Sequence, residues 1–284
     1  MKASIFALSL SAGALGAPTL DARQQVSTGT GPYPARWVTA PDFPNHTIYI
    51  PQNVDAVNGT MPVVAWGNGA CSANGLGQGN FLAEIASWGF IVIASGGPNQ
   101  GGSTTAQWMK DSIDYATRTT SGPFAKANKE SIGVAGWSCG GVEAYEQYQD
   151  SRVKTIGIFN SGQMDEGGTR RVVPNIRNKS VFFFLGGPSD IAYNNGMRDY
   201  RALPSGIPSW NGNLPVGHGA TYGDANGGRF GKAAQLYFRW VLKGDQTAAS
   251  WFTGNGAQQE GWTVERKDLD KLVFPPQGDT PSKC

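Results

Sequence analysis

The 284-residue chain carries 23 basic and 21 acidic side chains for a formal net charge of +2, and only 15% of its residues are charged. That length can bury one sizeable α/β core, and with no basic block visible nothing points to nucleic acid or an anionic membrane surface as a partner. Forty glycines, nine tryptophans and nine tyrosines suit a loop-rich exported enzyme better than a helical cytosolic protein.

Residues 1–17 read as a signal peptide. Lys2 supplies the positive start, Ile5 to Leu15 is an apolar run, and Ala12-Gly13-Ala14 and Gly16-Ala17 offer small-residue cleavage sites. The run is too short to span a bilayer and no other segment is long and apolar enough, so the mature chain is expected to be soluble and secreted; a monomer is expected as well. Residues 18–34 are polar and turn-rich, a loose arm or pro-segment, and residues 35–284 show no linker or repeat and read as one domain. Three sequons, at Asn45, Asn58 and Asn178, suit the secretory route. Three cysteines leave room for one internal disulfide and one further thiol, that of Cys284 if the other two pair.

Strand patterns run over His46 to Pro51, Met61 to Trp66, Phe90 to Ser95, Ile132 to Ala135, Thr155 to Asn160 and Val181 to Leu185. The continuous apolar runs among them belong to strands covered on both faces. Helical spacing appears over Phe81 to Trp88, Thr105 to Arg118, Val142 to Gln149 and from Phe230 to Val241, closed by Lys243-Gly244. Strands alternating with helices predict an α/β fold with a mainly parallel central sheet and helices on both faces. About twenty residues separate Asn160 from Ser180, near the minimum for one crossover. No large lid domain fits there, and an open site follows.

The chemistry centres on Gly136-Trp137-Ser138-Cys139-Gly140, set between a strand pattern and a helix pattern. A serine between two glycines on such a turn is a nucleophile elbow, because the strained turn and the close approach of neighbouring chains exclude large side chains at the glycines. The serine needs a base. The chain has two histidines. His46 sits inside a sequon, where a surface role is expected, so His218 in its glycine-flanked loop is the candidate base. Asp190, after the strand Val181 to Leu185, is the favoured carboxylate, with Asp165 and Glu166 as rivals. The order Ser138, Asp190, His218 is that of the nucleophile-elbow hydrolases.

Oxyanion donors are expected from the backbone of Cys139 and of Asn68 or Gly69 in the glycine-rich loop after the third strand. Cys71, which follows that loop, is a candidate disulfide partner of Cys139. Trp66, Trp137 and Tyr193, with Gly69, are candidates to line an acyl or aromatic subsite, and each aromatic suits core packing equally. Neither metal-ligand spacing nor a nucleotide fingerprint appears, so no cofactor is expected.

On Val63 to Gly69, Phe81 to Ala94, Gly136 to Gly141, Gly186-Gly187-Pro188-Ser189-Asp190 and Gly228 to Trp240, the chain resembles the α/β-hydrolase superfamily, and within it the secreted polyester hydrolase and cutinase-like lipase group, as a fungal member. The resemblance spans about Met61 to Gly254. It implies an α/β-hydrolase fold, triad roles for Ser138, Asp190 and His218, and oxyanion N–H groups from Asn68 and Cys139. Trp137 stands where the bacterial enzymes usually have histidine, and Cys139 where they have methionine or glutamine. The expected activity is a serine carboxylic-ester hydrolase working through an acyl-enzyme on small or polymeric esters, cutin-like, synthetic or from plant cell walls. An acyltransferase or lactonase with the same triad, and a silent binding protein on a hydrolase scaffold, are the alternatives.

Overall fold

The computed structural model describes residues 26–277, so the expected leader and Cys284 lie outside the described residues. Nine strands form one sheet: β1 (Ala35–Ala40), β2 (Phe43–Pro51), β3 (Met61–Gly67), β4 (Ile91–Ser95), β5 (Ala127–Trp137), β6 (Val153–Phe159), β7 (Ser180–Leu185), β8 (Ser209–Asn213) and β9 (Thr263–Lys267). Their spatial order is β1-β2-β4-β3-β5-β6-β7-β8-β9. The six inner strands, from β4 to β8, pair parallel, while β1, β2 and β9 are antiparallel additions at the edges. The α/β class and the mainly parallel sheet expected from the alternation are both present.

Helices cover both faces. They are α1 (Gly79–Ser87), α2 (Ala106–Arg118), α3 (Cys139–Tyr145), α4 (Glu166–Val172), α5 (Tyr193–Ala202), α6 (Gly228–Lys243), α7 (Gln246–Thr253) and α8 (Gly256–Gln259). The period-2 pleat sends alternate side chains of each inner strand into two separate cores. Val64, Trp66, Phe182 and Phe184 join Phe81, Ile85, Phe238 and Trp240 from α1 and α6. Val63, Ala65, Phe183 and Leu185 join Met109, Ile113, Tyr145 and Tyr200 from α2, α3 and α5. A strand with a core on either side has no polar face, which is why β3, β4 and β7 read as unbroken apolar runs.

Two expectations change here. The arm is not loose where it is described. The Ser27 N–H donates to Asn80 Oδ1 at 2.9 Å, Thr30 donates its N–H and hydroxyl to the Glu84 carboxylate at 2.7 and 2.6 Å, and the Gly31 N–H donates to Ser87 Oγ at 2.9 Å. These bonds fasten residues 27–31 along α1. His46 is not on the surface either. It is 3% exposed, stacked on Phe43 with ring centroids 3.8 Å apart, and its Nε2 donates to the Trp108 carbonyl at 3.0 Å. Burial, the dominant cause, pushes its pKa down to about 4, against smaller opposing effects of the Trp108 carbonyl and the Asp111 charge. The ring is a neutral core element, and a polar neighbourhood in sequence concealed it. Asn45, Asn58 and Asn178 are all exposed.

Candidate active site

Parallel strands end together, and loops leaving their carboxyl ends meet over one edge of the sheet. Ser138 stands directly after β5 with φ 54° and ψ −119°, a strained conformation for a residue with a side chain. Its surroundings over-determine it. The Ser138 N–H donates to the Phe159 carbonyl at 3.0 Å, and the Ser161 hydroxyl donates to the Ser138 carbonyl at 2.6 Å. A Cβ on Gly140 would lie 2.1 Å from the Gly67 carbonyl, and one on Gly136 would lie 2.2 Å from the Gly140 carbonyl. Three backbones therefore touch at the elbow, and side chains at those glycines would force them apart.

The strain aims Ser138 Oγ at His218, whose Nε2 lies 2.9 Å away. On the other side of the ring, Nδ1 lies 2.6 Å from Asp190 Oδ1. An ionised carboxylate only accepts, so Nδ1 carries the proton and Nε2 offers its lone pair to the Ser138 hydroxyl. Asp190 is 4% exposed, and three further N–H groups neutralise its buried charge. Ala192 N–H donates to Oδ1 at 2.9 Å, Gly186 N–H to Oδ2 at 3.0 Å, and the Asn160 side-chain amide to Oδ2 at 2.9 Å. The rival acids are placed elsewhere. Asp165 is the exposed N-cap of α4, accepting from the Gly168 N–H at 2.7 Å, and exposed Glu166 pairs with Arg170.

The glycine-rich loop lies against the same elbow. Cys71 and Cys139 form a disulfide with Cα atoms 5.1 Å apart, so the pairing expected from the loop's position is present. Ala70 and Cys71 both take positive φ, 55° and 47°. The Asn68 side-chain amide is turned inward and donates to the carbonyls of Ser72 at 2.8 Å, Asn74 at 3.2 Å and Ser95 at 2.6 Å. Asn68 thus shapes the loop with its side chain and leaves only its main chain for a bound oxyanion. The backbone N–H groups of Asn68, Gly69 and Cys139 find no acceptor among the described residues, so they are available where negative charge would develop on a carbonyl attacked by Ser138. Behind the loop, Glu143 of α3 accepts from the Thr104 hydroxyl at 2.8 Å while the Thr104 N–H donates to the Cys71 carbonyl at 2.7 Å. Burial pushes the Glu143 carboxyl up.

Of the candidate subsite residues, Trp137 and Gly69 meet here. The Trp137 ring covers Gly69 so closely that a Cβ would sit 2.2 Å from it, and its indole N–H donates to the His218 carbonyl at 2.9 Å. Trp66 is fully buried among Phe81, Phe159 and Tyr222 and has no free face for a ligand. Tyr193 packs, half-buried, against the core on the α2 and α5 face. Both aromatics serve packing. The same edge carries two exposed apolar side chains that no sequence pattern marks: Met164, after β6, and Ile191, next to Asp190, are 76% and 81% exposed. Asn160 and Tyr222 also lie here, single polar residues with no motif to mark them. Two cavities, of about 740 and about 310 Å³, lie elsewhere in the described residues, and neither is lined by Ser138, Asp190 or His218.

No protein-family model matches the chain, and no curated protein matches it.

Proposed function

We propose that the chain is a secreted serine carboxylic-ester hydrolase of the α/β-hydrolase type, resembling the polyester hydrolase and cutinase-like group. The observation that carries this reading is the unbroken hydrogen-bonded chain Ser138 Oγ, His218, Asp190 on a serine held at φ 54°. Strain of that kind persists where the surroundings enforce it, and it presents the hydroxyl above the sheet edge. The disulfide beside it suits an oxidising compartment.

In the proposed reaction Ser138 Oγ attacks the ester carbonyl as His218 Nε2 takes its proton. Asp190 holds the ring and stabilises the imidazolium. Backbone N–H groups of Cys139 and of Asn68 or Gly69 receive the oxyanion. Collapse breaks the ester C–O bond, and His218 protonates the departing alcohol. A water activated by the same Nε2 then splits the acyl-enzyme, releasing the acid and restoring Ser138. The exposed Met164 and Ile191 favour bulky or polymeric apolar esters over small polar ones.

Hydrolysis of p-nitrophenyl esters of rising acyl length, wild type beside Ser138→Ala, tests the reading together with labelling by a fluorophosphonate. Turnover and labelling that both vanish in the variant are expected. A wild-type chain that hydrolyses no ester and takes no label would favour the silent-scaffold alternative.

A further inference from the structure

The triad-forming residues do not end the hydrogen-bonded chain. Asn160, fully buried and directly after β6, has φ 42°, a left-handed conformation that asparagine tolerates better than most residues. That backbone turn swings its side chain between two loops. Its Nδ2 donates to Asp190 Oδ2 at 2.9 Å and to the Gly217 carbonyl at 3.2 Å. Gly217 immediately precedes His218, so one amide ties the candidate acid to the loop that carries the candidate base. The amide is itself oriented: the Tyr222 hydroxyl donates to Asn160 Oδ1 at 2.5 Å. Tyr222 lies four residues after His218, so the His218 loop is pinned to Asn160 from both ends.

The Tyr222 ring is 4% exposed, packed on Trp66, Phe81, Trp137 and Phe230. Burial first, and then the Asp190 charge, hold its phenol well above the usual range. The hydroxyl therefore remains a donor wherever His218 could act as a base. A donor at Oδ1 fixes which end of the Asn160 amide faces Asp190; without it the amide can turn and set its oxygen against the carboxylate.

We infer that Asn160 and Tyr222 are positioning residues for the triad, a buried relay that sets the Asp190–His218 contact and extends the chain to Ser138, His218, Asp190, Asn160 and Tyr222. The inference rests on the esterase reading for its kinetic consequence. The bonds are lost separably. Tyr222→Phe keeps the ring and its packing and removes one hydroxyl. Asn160→Leu removes all three side-chain bonds, to Asp190, to Gly217 and from Tyr222. Asn160→Asp keeps the shape and places a second carboxyl beside Asp190, where two acids must share a proton.

The test measures kcat, KM and thermal midpoint for these variants, and the far-downfield proton resonance of His218 Nδ1–H by NMR. Tyr222→Phe should lower kcat about fivefold with KM little changed, the size of one net hydrogen bond, and should shift or broaden the resonance. Asn160→Leu should cost more, and adding Tyr222→Phe to it should cost nothing further, because the two act through one link. Asn160→Asp should add an ionisation to the pH dependence of kcat/KM, which a purely structural contact would not do. Additive losses, or a Tyr222→Phe chain with wild-type kcat and an unchanged resonance, would overturn the inference. Failure of the esterase reading looks different: the wild type would be inactive and unlabelled, while the resonance would still report whether the relay sets the Asp190–His218 contact.

Discussion

The disulfide offers the most quantitative test of how the elbow is held. Cys71 and Cys139 are 68 residues apart in sequence. Closing a loop of that length in the unfolded chain corresponds to about 4 kcal/mol in the chain-entropy treatment. For a domain of this size each kcal/mol moves the thermal midpoint by roughly 2–4 °C, so Cys71→Ser with Cys139→Ser should lower it by ~10 °C. Activity should fall separately, because Cys139 follows Ser138 and contributes a free N–H, and Cys71 fixes the loop that brings Asn68 and Gly69. Outright loss of one oxyanion donor costs ~10²–10³ in kcat; displacement without loss should cost about tenfold. Circular dichroism melts with and without a reductant, and ester hydrolysis well below both midpoints, read the two effects apart. Reductant should reproduce the change in wild type and leave the double variant unmoved. A shift under ~2 °C with full activity would refute the reasoning and leave the loop to the three Asn68 bonds and the Thr104–Glu143 contact.

Two further predictions probe other parts of the argument. Gly140→Ala places a methyl 2.1 Å from the Gly67 carbonyl, a backbone contact that cannot swing aside; it should destabilise by about 3 kcal/mol and abolish most activity, whereas Gly101→Ala, with open space around it, should do neither in the same melts and assays. His46 titrates at an ordinary 6.5 when unfolded but at about 4 when folded. The unfolded chain therefore binds more protons between those values, and stability falls as pH drops from 6.5 towards 4, by ~3 kcal/mol in full. His46→Phe should remove most of that acid loss when denaturant unfolding at pH 7.5 and 4.5 is compared, and an unchanged acid loss would show that other groups govern it.

How much could be read beforehand follows from the kind of signal each element leaves. β4, β7 and the inner part of β5 are apolar on both faces, and their runs are visible without structure. β1 and β9 are edge strands, and β9, Thr-Val-Glu-Arg-Lys, is polar and largely exposed. Its partner β8 satisfies its backbone, and nothing in its side chains announces that. The elbow was legible because strain restricts residue type at Gly136 and Gly140. His218 was legible because histidines are few. Trp66 misled, since an aromatic at a strand end reads the same whether it faces a ligand or Phe81 and Phe159. Asn160 and Tyr222 left no trace, because a relay depends on a backbone angle and on loops brought together by the sheet, and neither has a sequence period.

The ladder register explains why those loops converge. Trp137 pairs with Phe159, Phe159 with Phe184, and Leu185 with Asn213. The next residues, Ser138, Asn160, Gly186 and Leu214, therefore leave neighbouring strands at one edge, about 5 Å apart from strand to strand. Ser138 and Asp190 belong to loops that leave β5 and β7, and β6 runs between them. Whatever ends β6 therefore lies between those two loops, beside the Asp190 carboxylate. A large apolar residue there would bury the Asp190 carboxylate against hydrocarbon, and a cation would compete with His218 for it. A neutral side chain with a donor on one end and an acceptor on the other satisfies Asp190 Oδ2 and the Gly217 carbonyl together, provided something on the far side fixes its orientation. Asn160 has that form and Tyr222 supplies that contact. The parallel sheet sets the place that both fill, and the Asn160 backbone angle and the His218 loop complete it.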